Sequence, residues 1–158
     1  MKLEYKAPLI AVKSVEISKK FYAELFGQEV VLDFGENVTF SGGFSIQEDF
    51  ARIGRLPEEP SYEKCYNMEL YFEVDDFEAF MEKLNSFPEV EKIHPPVKFD
   101  WQQWSIKIFD PDGHIIEIGE SMPVIVRRCL SEGKTPEETS GITMHPLEFV
   151  LACRDGML

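Results

Sequence analysis

The chain has 158 residues, and its 29 Asp and Glu against 16 Lys and Arg give a formal net charge of −13. This acid excess argues against a nucleic-acid surface, which needs cations to neutralise phosphates, and it favours neutral or cationic ligands. A hydrophobic content of 44% is typical of a globular domain. No apolar run approaches the roughly 18 residues of a membrane span, so we expect neither nucleic-acid nor membrane partners.

The cysteines and the first residues indicate the compartment. Cys65, Cys129 and Cys153 are odd in number and form no Cys-x-x-Cys motif, which indicates free thiols in a reducing environment. Charged residues interrupt the N-terminal segment, so it does not resemble a signal peptide. We therefore expect a cytoplasmic protein.

Residues 8–47 predict a β-α-β-β-β unit. Ser14 is suited to cap the helix, whose apolar residues fall at helical spacing, and Gly27 is suited to end it. The predicted strands cover residues 8–12, 29–34, 38–40 and 44–47. Residues 49–66 then show no sustained period and contain Gly54, Pro57 and Pro60, so they predict a linker or flap.

Residues 68–120 predict a second unit of the same order. A strand over residues 68–74 precedes a helix that a capping box, Asp75-x-x-Glu78, would begin. A short strand over residues 97–99 and a hairpin over residues 104–120 follow, with Asp-Pro-Asp-Gly as the turn. The two units align at offsets of 62 and 70 residues, which indicates an internal repeat with a pseudo-twofold axis.

Residues 121–158 predict a small helical tail outside the repeated domain of residues 1–120. Thr135 and Glu138 form a capping box for one of its helices. The tail carries four basic residues against five acidic ones, whereas a DNA-reading helix needs a basic face. We expect the tail to pack on the domain or across a dimer.

The segments KSVEISKKFYAELFG, FEVDDFEAFMEKL and FDPDGHIIEIGE together resemble the vicinal-oxygen-chelate superfamily. This superfamily includes glyoxalase I, bleomycin-resistance proteins, methylmalonyl-CoA epimerase and extradiol dioxygenases. The resemblance implies an α+β fold of paired βαβββ modules that form a curved mixed sheet around one cavity. It also implies a homodimer. Because one fold hosts many functions, it does not identify the reaction.

The resemblance also implies which positions would hold a metal ion in metal-dependent members. These are the first and last strands of each unit, here Ala7, Gln47, Glu69 and Glu117. Ala7 has no ligand atom, and none of the four is a histidine. Two carboxylates and an amide would hold Mg or Mn only weakly, so we expect no cofactor and no tightly held metal.

Strand alternation predicts the cavity residues. Glu117 lies between Ile116 and Ile118, so it should face away from the core, and the same parity places Glu69 and Tyr71 together. Aromatic residues of the middle strands would complete the wall and bind a cation: Phe40, Phe99, Trp101 and Trp104. These rings are equally suited to core or dimer contacts.

Three functions are compatible with these observations. The first, which the missing histidines favour, is a small-molecule binder similar to bleomycin-resistance proteins, without a tightly held metal. The second is a metal-dependent lyase, isomerase or epimerase in which Glu69 and Glu117 are catalytic, since paired carboxylates suit proton transfer. The third is a ligand-sensing regulator that acts through the helical tail.

Overall fold

A computed structural model describes residues 5–57, 60, 62–64, 66 and 68–158. It divides into two units: unit 1 comprises Met1–Tyr66 and Asp110–His114, and unit 2 comprises Asn67–Phe109 and Ile115–Leu158. Each unit contains a four-stranded mixed sheet, and helices follow the last strand. The predicted α+β class is therefore confirmed.

Unit 1 has the predicted β-α-β-β-β order. Its elements are β1 (Leu9–Ala11), α1 (Val15–Phe26), β2 (Val30–Asp33), β3 (Asn37–Phe40), β4 (Ser45–Gln47) and the short helix α2 (Phe50–Gly54). The strand order in the sheet is β1-β4-β3-β2, with β1 parallel to β4 and the remaining pairs antiparallel. Strand β2 is therefore an edge strand.

Helix α1 begins and ends where the sequence predicts. The Ser14 side chain accepts a hydrogen bond from the Ile17 N–H, and Gly27 adopts a φ of 62° that favours glycine. The inner face of the helix packs Tyr22 against the rings of Phe40 and Phe44, with centroid distances of 5.4 and 4.9 Å. This aromatic cluster is part of the core of unit 1, where aliphatic residues of the strands are also buried.

Unit 2 repeats this arrangement and adds three helices. Its elements are β5 (Glu69–Val74), α3 (Phe77–Asn85), β6 (Val97–Lys98), β7 (Trp104–Phe109), β8 (Ile115–Glu120), α4 (Met122–Ser131), α5 (Pro136–Thr143) and α6 (Leu147–Arg154). The order β5-β8-β7-β6 matches that of unit 1, and the first strand is again parallel to the last. The predicted repeat is confirmed.

One local prediction was wrong. Helix α3 is capped by Asp76, whose carboxylate accepts the Ala79 N–H at 2.9 Å, and not by Asp75. Asp76 is the repeat equivalent of Ser14, so both units cap their first helix in the same way. The segment predicted as a linker or flap contains the short helix α2, and Arg55, which follows it, adopts the left-handed region.

The C-terminal helices pack within unit 2. Met122, Ile125 and Cys129 of α4 form a buried cluster that Trp101, Ile142 and Phe149 cover. The predicted capping box is confirmed, since Thr135 and Glu138 each bond the other's backbone N–H. The boundary between residues 1–120 and 121–158 stays a prediction.

Two of the three cysteines lie within the described residues. Cys129 and Cys153 are free, buried thiols, whereas Cys65 lies outside the described residues. Among the described residues, no helix is long and apolar enough to cross a membrane.

Candidate functional site

The two faces of the unit 2 sheet differ sharply. Ile106, Ile108, Ile116 and Ile118 are fully buried on one face. Because side chains alternate along a strand, the residues between them share the opposite face. We call this opposite face the polar face and define it by Glu69 and Tyr71 of β5, Ser105 and Lys107 of β7, and Glu117 of β8.

Lys107 lies at the centre of the polar face. Its Nζ donates to Oε2 of Glu69 and to Oε2 of Glu117, both at 2.5 Å. Lys107 and Glu117 are direct cross-strand partners, and Glu117 also pairs with Tyr71 of the next strand. The Ser105 hydroxyl donates to the other oxygen of Glu117 at 2.6 Å. The side chains of Glu69, Lys107 and Glu117 are 39%, 26% and 13% exposed, so the cluster is accessible from one side.

The hydrogen bonds of this cluster shift the pKa values of Glu117 and Lys107. Burial by itself would raise the pKa of Glu117, but hydrogen bonds from Lys107 and Ser105 outweigh it and hold that pKa below its usual value. Burial would likewise lower the pKa of Lys107, but Glu117 and Glu69 raise it above 10.5. At neutral pH the cluster therefore holds a carboxylate and an ammonium.

A chain of hydrogen bonds holds Tyr71 at the edge of the cluster. The Trp101 indole N–H donates to Oε1 of Gln103, and Nε2 of Gln103 donates to the Tyr71 hydroxyl at 2.8 Å. Tyr71 in turn donates to Glu73 at 3.0 Å. Burial, together with the charge of Glu73, raises the pKa of Tyr71 to about 12, despite the bond from Gln103. Tyr71 is thus a neutral hydroxyl with a half-exposed ring.

Gly119 of β8 leaves space for this chain of hydrogen bonds. A Cβ at this position would lie 2.6 Å from Nε2 of Gln103 and 2.8 Å from the Tyr71 hydroxyl oxygen. Gln103 also needs the left-handed backbone of Gln102, whose φ is 72°. Lys107, Gln103 and Gly119 are not among the site residues predicted from the sequence. Strand parity alone would have placed Lys107 and Gly119 on the face of Glu117.

Trp101 and Trp104, two residues of the predicted aromatic wall, have different surroundings. Trp101 stacks on Phe99 with a centroid distance of 4.3 Å, and it packs against the α4 cluster. Trp104 shares the face of Ile106, opposite Glu117, and lines an open groove of about 730 Å³ with Phe77 and Met81. The polar face therefore does not include Trp104.

An ion pair lies at the wall of the Trp104 groove. The Arg128 guanidinium pairs with both oxygens of Glu120, whose side chain is 8% exposed, and also donates to the Gln102 carbonyl at 3.1 Å. Glu120 also raises the pKa of Arg128. The pair ties α4 to the loop that positions Gln103.

The remaining predicted residues belong to unit 1. Phe40 is 1% exposed and packs in the aromatic core, so its ring is not accessible to a ligand. Gln47 is buried, donates to the Glu36 and Glu48 carbonyls, and accepts from Asn37. Because Gln47 lies in unit 1 and both glutamates lie in unit 2, their predicted convergence stays a prediction.

The Asp-Pro-Asp-Gly turn carries a buried polar cluster within unit 1. Asp110 accepts from the Tyr22 hydroxyl at 2.9 Å and lies 2.8 Å from Nδ1 of His114. Asp112 accepts from the Lys13 N–H and, at 3.5 Å, from the Ser18 hydroxyl of α1. The His114 ring is mostly buried where it bonds to Asp110. The cluster fastens the turn to α1.

The two βαβββ units match the fold of a solved glyoxalase-related structure. The family model for the glyoxalase-like domain matches residues 5–123, and the chain belongs to this family. The superfamily that the sequence resembles is thereby confirmed. Among curated proteins, none matches the chain.

Solved structures share the fold. A protein of unknown function from Agrobacterium tumefaciens str. C58 is 36% identical, with a TM-score of 0.67 over 77% of this chain and 96% of that one. A glyoxalase/bleomycin resistance protein/dioxygenase family enzyme from Burkholderia phytofirmans PsJN is 17% identical, with a TM-score of 0.62 over 73% and 96%. The fosfomycin resistance protein FosX from Listeria monocytogenes, complexed with Mn(II) and sulfate, is 18% identical, with a TM-score of 0.60 over 81% and 98%.

The Mn(II) of that FosX structure raises the question of whether this chain's residues fit a divalent metal. Glu69 and Glu117 supply oxygen donors, but each directs a carboxylate oxygen to the Lys107 ammonium. A metal ion between them would meet that positive charge at close range. Within the described ranges, no group of three or more His, Cys, Asp or Glu side chains is placed to hold a metal. The polar face does not fit a divalent metal ion while Lys107 is in place.

Proposed function

We propose that this glyoxalase-like protein binds a small molecule on the polar face of unit 2, without a tightly held divalent metal. One observation carries the proposal: Lys107 connects Glu69 and Glu117 on an accessible sheet face beside the half-exposed ring of Tyr71. The charged groups are paired in advance, so a ligand meets a preorganised polar surface. Gln47, Phe99 and Trp101 stay predicted contacts.

The chemistry of the polar face favours a neutral or cationic ligand. Lys107 has three N–H groups and uses two on Glu69 and Glu117 among the described residues, which leaves one for a ligand oxygen. Two carboxylates against one ammonium leave a net negative charge. The Tyr71 ring offers a flat surface on which an apolar or cationic group can lie.

Catalysis is not part of this proposal. A carboxylate that accepts from both Lys107 and Ser105 is a weak general base, since both bonds stabilise the ionised form. The metal-dependent lyase, isomerase or epimerase and the tail-based regulator stay predictions. The ion pairs of Lys107 oppose the first, because they occupy the carboxylate oxygens that a metal would need.

Affinity selection with mass spectrometry tests the proposal. A library of neutral and amine-bearing metabolites is incubated in a chelator-containing buffer with the wild type, Glu117→Gln and the exposed control Glu78→Gln. We expect compounds that the wild type and E78Q retain and E117Q releases. Equal retention by all three proteins, or retention only after Mn²⁺ is added, would contradict the proposal.

We also propose a homodimer, as expected for this family, and the edge of unit 1 supports it. Strand β2 is unpaired on one side within the described chain, and Val30, Val31, Leu32 and Phe34 are all exposed there. An exposed apolar edge strand is prone to pair with another chain. A second copy would cover this surface, and the predicted contribution of the helical tail stays part of the proposal.

A further inference from the structure

The Lys107 ammonium occupies the point where two carboxylates of the polar face converge. Glu117 faces Lys107 across the β7–β8 ladder, and Glu69 reaches the same Nζ from β5, on the far side of β8. Both contacts are 2.5 Å long, which places the two Oε2 atoms around one positive centre. The ammonium thus acts as a fixed internal cation.

Removing that cation would leave a different site. Two carboxylates would then share a partly buried position, where like charges repel and the ionised pair becomes unfavourable. The Ser105 hydroxyl, 2.6 Å from Glu117, would add a third oxygen atom. Carboxylate, hydroxyl and water oxygens are the ligands that suit Mg²⁺ and Mn²⁺. A divalent ion would relieve the repulsion that the ammonium now relieves.

We infer that Lys107 keeps divalent metal ions out of the polar face, and that its neutralisation converts Glu69, Glu117 and Ser105 into a divalent-cation site. Lysine here performs within the chain the charge compensation that a bound metal would otherwise supply. This inference deepens the metal-free part of the proposed function by naming the residue responsible, and it holds whether or not a small molecule binds.

Metal titration of a neutral variant tests this inference. Lys107→Met keeps an unbranched side chain of nearly the same length and removes its charge. Mn²⁺ is added to metal-stripped protein at pH 7.5, and binding is followed by the electron paramagnetic resonance signal of free Mn²⁺ and by calorimetry. We expect one Mn²⁺ per K107M chain, bound at least about tenfold more tightly than by the wild type.

Three further variants make the result specific. Lys98→Met removes an exposed lysine of β6 and should bind Mn²⁺ as the wild type does. The double variant K107M/E117Q should lose the binding gained by K107M, since one of its two carboxylates is gone. Lys107→Ala replaces K107M if circular dichroism shows that K107M does not fold.

Two outcomes overturn the inference. One is a K107M variant that binds Mn²⁺ no more tightly than the wild type does. The other is a gain in Mn²⁺ affinity that K98M or K107M/E117Q shares. Because no small molecule is present, neither outcome bears on the affinity selection described above. A failure of the inference is therefore distinguishable from a failure of the proposed function.

Discussion

Nζ of Lys107 lies 2.5 Å from Oε2 of Glu117, and the two residues are direct partners in the β7–β8 ladder. Cross-strand pairs of opposite charge stabilise a sheet by roughly 0.2–1 kcal/mol. Nζ of Lys107 also contacts Glu69 of β5, so one ammonium connects three strands. The polar face is therefore both a structural tie and the candidate binding surface.

The lowered pKa of Glu117 predicts a specific dependence of stability on acid. A carboxyl whose folded-state pKa lies below its unfolded value of 4.5 stabilises the fold above that pH, and this contribution is lost as pH falls through the folded pKa. We expect the wild type to lose unfolding free energy below pH 4.5 more steeply than Glu117→Gln. Urea denaturation between pH 3 and 7 measures this. Glu78→Gln should keep the wild-type slope, and an E117Q slope equal to that of the wild type would refute the ion pair.

The raised pKa of His114 predicts the opposite trend at higher pH. Burial alone would lower this pKa, but the Asp110 carboxylate beside the ring raises it above 6.5. The resulting stability is fully present below pH 6.5 and is lost as pH rises through the folded pKa. Denaturation at pH 5.5, 7 and 8.5 should show a decline for the wild type that His114→Gln lacks. His94→Gln is the control, and it should decline like the wild type.

Gly119→Ala should destabilise the protein, because the new methyl group would collide with Gln103 and Tyr71. Displacing Gln103 breaks its buried hydrogen bonds, and we expect a cost of about 1–3 kcal/mol in unfolding free energy. Gly141→Ala is a matched control, since nothing lies within 4 Å of a Cβ there and the site is helical. It should gain about 0.5–1 kcal/mol. Equal effects of the two substitutions would show that Gly119 does not provide the space for this chain of bonds.

The apolar edge of unit 1 predicts a dimer that a charge would break. Leu32→Lys places an ammonium on β2, where exposed hydrophobic residues are proposed to meet a second copy. Sedimentation velocity at micromolar concentration should give a dimer for the wild type and a monomer for this variant. Ile17→Lys, on the exposed face of α1, should remain a dimer. A monomeric wild type would contradict the proposed assembly.

Much of the fold was predictable because its signals are local. Ser14 caps α1, and the Thr135 capping box begins α5, since each needs only residues within one helical turn. The α3 cap was misplaced by one residue because Asp75 and Asp76 are both chemically suited to it. In the structure the cap is Asp76, whose backbone is extended.

The site was less predictable because it depends on register and on unusual backbone. Alternation places Glu69, Tyr71, Lys107 and Glu117 on one face, but only the β7–β8 register shows that Lys107 is the direct partner of Glu117. Trp104 was grouped with these residues because it is aromatic, although its parity follows Ile106. The position of Gln103 depends on the positive φ of Gln102, which no local sequence pattern indicates.

The ionisation of Lys107 tests the central claim most directly, because the proposed site depends on an ammonium shared by two carboxylates. Nitrogen-15 and carbon-13 NMR of the lysine side chain can follow its pKa in the wild type, Glu117→Gln and the control Lys98→Met. We expect the Lys107 resonance to titrate above pH 10.5 in the wild type and in K98M, and to shift towards 10.5 in E117Q. A Lys107 pKa that is ordinary in the wild type and unchanged in E117Q would contradict the account.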